Sequence, residues 1–341
     1  VGLGLVATSH LKGYLAHPSA EVVAVCDSDN SRARQFADMH GIAEFYSSFE
    51  DMLENSDIDA IDIATPTFLH SVMTLKAAKA GKHVHCEKPF CRTTGEGMAA
   101  CRAARSSGIK LVVGETYVFG TSHMKARELI DEGVIGRPLQ VRQRQGAFLE
   151  RSDPRIPTGP GDRTWRVDPE KSGGGEYPWV YDHAVHFFSV GEYLMQDHEI
   201  AEIYGVSASH VSGNESGGAA HDPYTSSHLD IPIITWKYED SDRQGLWVRG
   251  ERLNGKYDYM QGFSSSVVGE KGLIEVLGEG GHNLLWGGKQ CHLVLHREGK
   301  EAITYRFDEG GDDVWQSDLS YYSQGHINQI RHFVDSIIQD I

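Results

Sequence analysis

The first seven residues, Val1-Gly2-Leu3-Gly4-Leu5-Val6-Ala7, form a G-x-G-x-x-A turn that constrains the fold more than any other feature of the chain. Two glycines one residue apart let the backbone turn tightly from a strand into a helix, here expected over Thr8 to Ala16. The next β-rich run, Glu21 to Cys26 (EVVAVC), ends at Asp27, 23 residues beyond Gly4. In a strand–turn–helix–strand unit an acidic residue about 20 positions after the glycines reaches a ribose 2′-hydroxyl, while the helix N-terminus receives a pyrophosphate. The turn therefore predicts a dinucleotide site built from Gly2, Gly4, Val6, Ala7 and Asp27. A carboxylate at position 27 repels a 2′-phosphate, and the nearest arginines, Arg32 and Arg34, lie on the following helix, so NAD is expected over NADP.

The pattern after the turn extends this unit. Ala60 to Ala64, His83 to Cys86 and Lys110 to Val113 read as short buried strands, and Ser31 to Met39, Phe68 to Ala80 and Gly95 to Ser107 carry helical spacing. Gly41, Gly81 and Gly108 stand just past those helices as stops. On the second helix Phe68, Val72 and Leu75 fall on one stripe, expected to face a sheet. Strands alternating with helices imply a parallel, doubly wound sheet, its first strand reduced here to Val1. After a helix at Ser122 to Asp131 the pattern changes to longer strands without intervening helices: Leu139 to Phe148, Ile200 to Val211, Leu229 to Tyr238, Gly245 to Leu253, Gly272 to Leu277, Cys291 to Arg297 and Ala302 to Phe307. Helices are expected from Pro178 to about Met195 and over Gly325 to Gln339. The expectation is an α/β Rossmann domain over residues 1–120, followed over 121–341 by an α+β domain with a large, open, mostly antiparallel sheet.

Composition narrows the partners. A chain of 341 residues with a net charge of −16 and no basic cluster offers no positive face for nucleic acid or an anionic membrane. No apolar run approaches the roughly 20 residues of a membrane helix. The five cysteines, Cys26, Cys86, Cys91, Cys101 and Cys291, are odd in number and lack a C-x-x-C pair, which predicts reduced thiols and a cytoplasmic protein. Since the sequence opens at Val1 without a Met, it cannot test for an export signal.

Two further segments carry chemistry. His85-Cys86-Glu87-Lys88-Pro89-Phe90 follows a buried strand, at the carboxyl edge where open α/β sheets bind ligands. Pro89 keeps Lys88 extended, and an ammonium there can stabilise an alkoxide that develops as hydride leaves. Downstream, Gly173-Gly174-Gly175 precedes a helix carrying Asp182, His183 and His186. Asp182 and His186 are i, i+4 and share a face, so the carboxylate can orient an imidazole suited to removing a hydroxyl proton. Each has an ordinary structural explanation too, a solvated lysine at a strand end and core histidines at 183 and 186. A metal set of Asp182, His183 and His186 lacks a recognised motif for its remaining ligands, and no metal is expected.

Taken together, these residues resemble the glucose-fructose oxidoreductase, inositol dehydrogenase and rhizopine-catabolism (Gfo/Idh/MocA) superfamily. The likeness rests on Gly2-Leu3-Gly4, Ala24-Val25-Cys26-Asp27, Asp57 to Ala60, Ala64-Thr65-Pro66-Thr67 with His70, and Gly81 to Val84. It continues through Glu87-Lys88-Pro89, Gly133 to Gly136, Trp165-Arg166, the triple glycine and the Asp182/His186 spacing. It implies NAD(P)-dependent oxidation or reduction of sugars, inositols or related polyols, and a C-terminal sheet that mediates homodimers or homotetramers. By the same resemblance Lys88 contacts nicotinamide ribose and substrate, Asp182 and His186 are the catalytic pair, and Thr65, Pro66, His70 and Glu87 belong to the cofactor side. Tyr117, Arg166 and His183 join Lys88, Asp182 and His186 as candidate substrate contacts. Tyr117-Val118-Phe119 stands where many relatives have Tyr-Arg-Phe, and the gap from Gly175 to Asp182 is longer than is common.

The expected function is hydride transfer between a secondary carbinol carbon of a sugar or cyclic polyol and NAD. His186 would act as base, Asp182 would fix its tautomer and Lys88 would stabilise the alkoxide. The alternative is a lyase or glycosidase with tightly held NAD, working through transient oxidation of a ring hydroxyl. A non-enzymatic NAD-binding regulator is the third reading, opposed by the intact lysine, aspartate and histidine. The loop from Glu150 to Pro178, with Arg151, Arg155, Arg163, Trp165 and Arg166, is expected to contribute to substrate choice.

Overall fold

The computed structural model describes residues 1–146, 165, 168–175, 178–211, 228–240, 242–251, 263–277, 292–307 and 321–340. Much of the loop from Glu150 to Pro178, including Arg151, Arg155, Arg163 and Arg166, and also Cys291, lies outside the described residues. The chain forms two compact units, one from residues 1–115, 158–182 and 326–341, the other from 116–157 and 183–325.

In the first unit the glycine turn leads into α1 (Ala7–Leu15), followed by β1 (Ala24–Cys26), α2 (Asn30–His40), β2 (Glu44–Tyr46), α3 (Phe49–Asn55) and β3 (Ala60–Ile63). Next come α4 (Thr67–Lys79), β4 (His83–Glu87), α5 (Thr94–Ser107) and β5 (Leu111–Gly114). All strand pairs are parallel: β1 with β2, and β3 with β4 and β4 with β5. Val1 and Gly2 join these two sheets. Val1 N donates to Asp62 O and Ala64 N donates to Val1 O, while Gly2 N donates to Cys26 O on the other side. Local chemistry sets the helix ends. Asp29 caps α2 by accepting from Ser31 N and Arg32 N, Thr93 caps α5 through Glu96 N, and Gly41 and Gly108 close these helices at φ 68° and 67°.

The stripe of Phe68, Val72 and Leu75 does not face the sheet. Val72 and Leu75 are exposed, and α4 buries Thr67, His70, Ser71, Thr74, Ala77 and Ala78. Small side chains on that face let α4 pack close, while two capturable carbonyls hold His70 inside. The missed elements, β2 and α3, are three and seven residues long, too short for a periodicity to emerge.

The second unit contains α6 (Thr121–Asp131), β6 (Pro138–Gly146) and strands β7 (Ile200–Val211), β8 (His228–Tyr238), β9 (Gln244–Glu251), β10 (Phe263–Gly269), β11 (Gly272–Leu277), β12 (His292–Arg297) and β13 (Ile303–Arg306). The short α7 (Pro169–Ser172) belongs to the first unit, and α8 (Pro178–Leu194) begins there and continues into the second. The eight strands form one sheet in the order β13-β12-β11-β10-β6-β9-β8-β7, antiparallel except for the parallel pair β6–β9. Its aromatic core is tight. Phe187 stacks on Trp247 at 4.8 Å, Phe188 meets Trp236 edge-on at 5.2 Å, and Gly191 and Gly245 leave the room that the Trp236 indole fills. The last helix, α9 (Tyr321–Ile338), sends Ile330, Phe333 and Val334 into the first unit against Tyr14, Ala20, Ala60 and Val112.

Candidate active site

The glycine turn has the geometry of a phosphate cradle. Gly2 sits at φ +82°, and a Cβ there would come within 2.8 Å of the Ala64 backbone, so no other residue fits. Around Gly4 nothing lies within 4 Å of where a Cβ would stand. Helix α1 starts after Val6, whose side chain cannot cap it; Ala7 N turns back to Gly4 O at 3.3 Å, and the positive end of the helix dipole stands at the glycine turn. Ala7, the first helical residue, is buried. At the carboxyl end of β1, Asp27 accepts from Leu3 N at 2.9 Å and Asp29 N at 2.9 Å. Arg32, which helical spacing had placed merely on the next helix, has Nη1 3.2 Å from Asp27 Oδ1.

Strand β4 delivers the second group. Lys88 follows its last residue, and the Lys88–Pro89 peptide is cis. The Lys88 ammonium donates to the main-chain oxygen of Asp182 at 3.1 Å and lies 3.7 Å from its Oδ1, with both side chains largely buried. Glu87 Oε2 accepts from Lys88 N at 3.1 Å. His70 does not line an open cleft. It is 1% exposed, its ring nitrogens 2.8 Å from Pro89 O and 2.7 Å from Thr65 O, so it ties the Thr65-Pro66 turn to the segment after Lys88. Burial holds its pKa below the ordinary value although the carbonyls oppose this. The triple glycine approaches the same segment: a Cβ on Gly173, at φ +81°, would meet Arg92 Cα at 3.1 Å, and Tyr181 OH donates to Cys91 O.

Within the second unit, His186 is buried and its ring stacks on Tyr117 at 4.2 Å with an interplanar angle of 14°. His183 is half-buried. Asp182 and His186 stand four residues apart on α8, one turn from each other.

Sequence reasoning missed a buried ionisable cluster in the first unit. His10 Nδ1 lies 2.8 Å from Asp62 Oδ2 and its Nε2 lies 3.1 Å from Glu87 Oε1, while His85 Nδ1 lies 3.1 Å from Asp62 Oδ1. Burial opposes charge on His10, but Asp62 and Glu87 outweigh it and push the imidazole pKa up to about 10. Burial would raise Glu87, yet the hydrogen bond and charge of His10 bring it down to about 2. His326, desolvated and beside His10, is pushed down to about 3. The signal available in the sequence was the spacing of His10 six residues beyond Gly4 and of His85 and Glu87 on one strand, but nothing local says that they meet.

A model for an oxidoreductase family with an NAD-binding Rossmann fold matches residues 1–115, and a model for the GFO/IDH/MocA C-terminal domain matches residues 123–275. The chain belongs to the Gfo/Idh/MocA family. It is 30% identical over 205 residues to levoglucosan dehydrogenase of Pseudarthrobacter phenanthrenivorans, covering 57% of this chain and 50% of that one. It is 28% identical over 276 residues to the NAD(+)-dependent scyllo-inositol 2-dehydrogenase of Bacillus subtilis, covering 80% of this chain and 71% of the relative. A levoglucosan dehydrogenase solved with NADH and levoglucosan superposes with a TM-score of 0.74 at 20% identity, over 99% of this chain and 88% of that one, and so shares its fold.

As a Gfo/Idh/MocA protein the chain has an NAD-binding Rossmann fold, and its own residues fit the cofactor. Gly4 opens onto free space before the start of α1, and Asp27, at the carboxyl end of β1, has its carboxylate held by two main-chain amides. A family sheet of this size was legible from the strand spacing, but its parallel β6–β9 pair and the strand β10 were not. Among the described residues no helix is long and apolar enough to cross a membrane. Cys26, Cys86, Cys91 and Cys101 are free thiols, and burial raises the pKa of Cys26 and Cys86.

Proposed function

We propose that this protein transfers a hydride between a secondary hydroxyl carbon of a sugar or cyclic polyol and NAD. The observation that carries the reading is the Lys88 ammonium against Asp182, at the end of a Rossmann strand whose domain holds an open glycine turn. Bound NAD supplies a nicotinamide C4 that accepts or returns the hydride. Gly2, Gly4 and the N-terminus of α1, with Val6 and Ala7, cradle its pyrophosphate, and Asp27 takes the ribose hydroxyls and selects against a 2′-phosphate. Thr65 and Pro66 form the wall beside the nicotinamide, held in place by His70.

Lys88 donates to the reacting hydroxyl oxygen and stabilises negative charge as it develops there. His186 takes the hydroxyl proton, and Tyr117 stacked on its face fixes the ring plane. Asp182 anchors Lys88 and sits one turn before His186, where a carboxylate favours the protonated ring that follows proton removal. His183 joins Tyr117 in contacting the remaining hydroxyls. The similarity to levoglucosan and scyllo-inositol dehydrogenases supports a carbohydrate or inositol substrate. Exposed Ile203, Tyr204, Val206 and Ile233 on β7 and β8 support a homodimer or homotetramer built through that sheet, and the buried free thiols support a cytoplasmic location.

A panel of hexoses, inositols and anhydrosugars with NAD or NADP, followed by absorbance of reduced nicotinamide, tests the reading. Net NADH with at least one polyol supports it. Release of water or an aglycone without net NADH would replace it with the elimination chemistry.

A further inference from the structure

His10, Asp62 and His85, which lie between α1, β3, β4 and α9, have no role in the proposed chemistry, although their cluster includes Glu87, the residue next to Lys88. His10 is 1% exposed and Glu87 8%. One oxygen of Glu87 faces His10 Nε2 at 3.1 Å, and the other accepts the main-chain amide of Lys88 at 3.1 Å. The opposite nitrogen of His10 lies against Asp62, whose other oxygen lies 3.1 Å from His85 Nδ1. His85 thus has its own partner and does not substitute for His10. Gln329 donates to His326 Nδ1 at 3.0 Å. Space is short as well: a Cβ on Gly114 would come within 3.3 Å of Glu87 Oε1 and 3.2 Å of His85 Nε2.

We infer that His10 is a positioning residue for Lys88: its ring bridges Asp62 and Glu87, and so holds the Glu87 carboxylate in the one orientation that accepts the Lys88 amide. A buried carboxylate without a cation must protonate, rotate or draw in water. Rotation or water entry breaks the Oε2 contact and protonation weakens Oε2 as an acceptor, so each loosens the Lys88 main chain, from which the ammonium reaches Asp182. The bridge also ties the helix after the glycine turn to the Glu-Lys-Pro segment. A cation shared by His10, Glu87 and His326, whose ligand atoms lie within 4.8 Å of one another, is the competing occupant. Geometry disfavours one shared by His10 and Asp62. Two donors each about 2.0 to 2.2 Å from a tetrahedral ion stand well over 3 Å apart, whereas His10 Nδ1 and Asp62 Oδ2 are separated by a hydrogen-bond length of 2.8 Å.

The positional claim rests on the proposed role of Lys88, and its test separates the two. Hydrogen exchange at the Lys88 amide is measured in the cofactor-free full chain for wild type and His10→Asn, with His10→Gln taking its place if that variant does not fold. Steady-state kinetics and metal analysis follow on the same preparations. The inference predicts exchange at Lys88 accelerated at least about tenfold, kcat reduced at least about tenfold and KM for NAD within about threefold. Unchanged protection of the Lys88 amide in a folded His10 variant would overturn it, as would a stoichiometric transition metal in the wild type that the variant loses. Full activity of Lys88→Ala would instead overturn the proposed reaction while leaving the exchange result to decide the role of His10.

Discussion

Lys88 Nζ donates to the carbonyl oxygen of Asp182 at 3.1 Å across a sequence separation of 94 residues. The contact joins the end of β4 to the second turn of α8 at Asp182, both within the first unit. The Asp182 side chain is 5% exposed, and a carboxylate so placed needs a cation or donors near it.

Removing the cation should therefore affect both rate and stability. Lys88→Met is expected to lower kcat by about 10²-fold or more through loss of alkoxide stabilisation, and to reduce stability by about 1 to 3 kcal/mol through loss of the buried Lys88–Asp182 contact. Steady-state kinetics and urea unfolding of the same preparation check the two effects, and wild-type values in both would remove Lys88 from the site.

His186→Ala is expected to retain NAD affinity within about threefold yet lose about 10² to 10⁴ in kcat, the usual effect of a positioned acid–base group. Fluorescence titration with NADH and turnover on the same substrate measure them separately. Normal turnover would show that another group takes the proton.

The cofactor preference should depend on Asp27. Asp27→Ala removes the carboxylate opposing a 2′-phosphate and releases Arg32, which now pairs with it. The ratio of kcat/KM for NADP to that for NAD should rise about tenfold or more. An unchanged ratio would place discrimination elsewhere.

Stability should peak near pH 6.5. His10 is raised from 6.5 to about 10, so its contribution is complete below pH 6.5 and is lost as pH rises towards 10. His326, lowered to about 3, stays neutral in the fold while the unfolded chain takes up a proton below pH 6.5, so stability falls on that side too. Glu87, lowered to about 2, adds a further loss below its ordinary value of 4.5. Thermal midpoints from pH 4 to 10 test this, and a steady rise from pH 7 to 9.5 would contradict the assigned charge on His10.

Packing offers an independent check in the second unit. A Cβ on Gly245 would overlap the indole of Trp236, which is 1% exposed. Gly245→Ala should cost about 1 to 3 kcal/mol, more if the ring cannot shift, and a thermal midpoint equal to wild type would show that it can.

Much of this architecture was legible because the signals were local. A glycine turn, an acidic residue at a strand end and a Lys-Pro pair at another specify backbone geometry within a few residues, and β7 and β11 emerged with the expected bounds. The stripe on α4 misled because apolar spacing finds a face without saying whether close packing favours alanine and serine there. The His10 bridge was invisible for a different reason. Its partners Asp62 and Glu87 are 52 and 77 residues away, and only the parallel register of β3 and β4 brings them to one helix. The stacking of Tyr117 on His186 is likewise a product of the tertiary fold.

The most direct test of the account is to follow the hydride itself. The best polyol of the panel, deuterated at the carbinol carbon that is oxidised, is mixed with enzyme and NAD, and the nucleotide is analysed after a single turnover. Deuterium at C4 of released NADH, with slower turnover than the protonated substrate in the chemical step, is the predicted result. A dehydrated or cleaved sugar beside unlabelled NAD would contradict it.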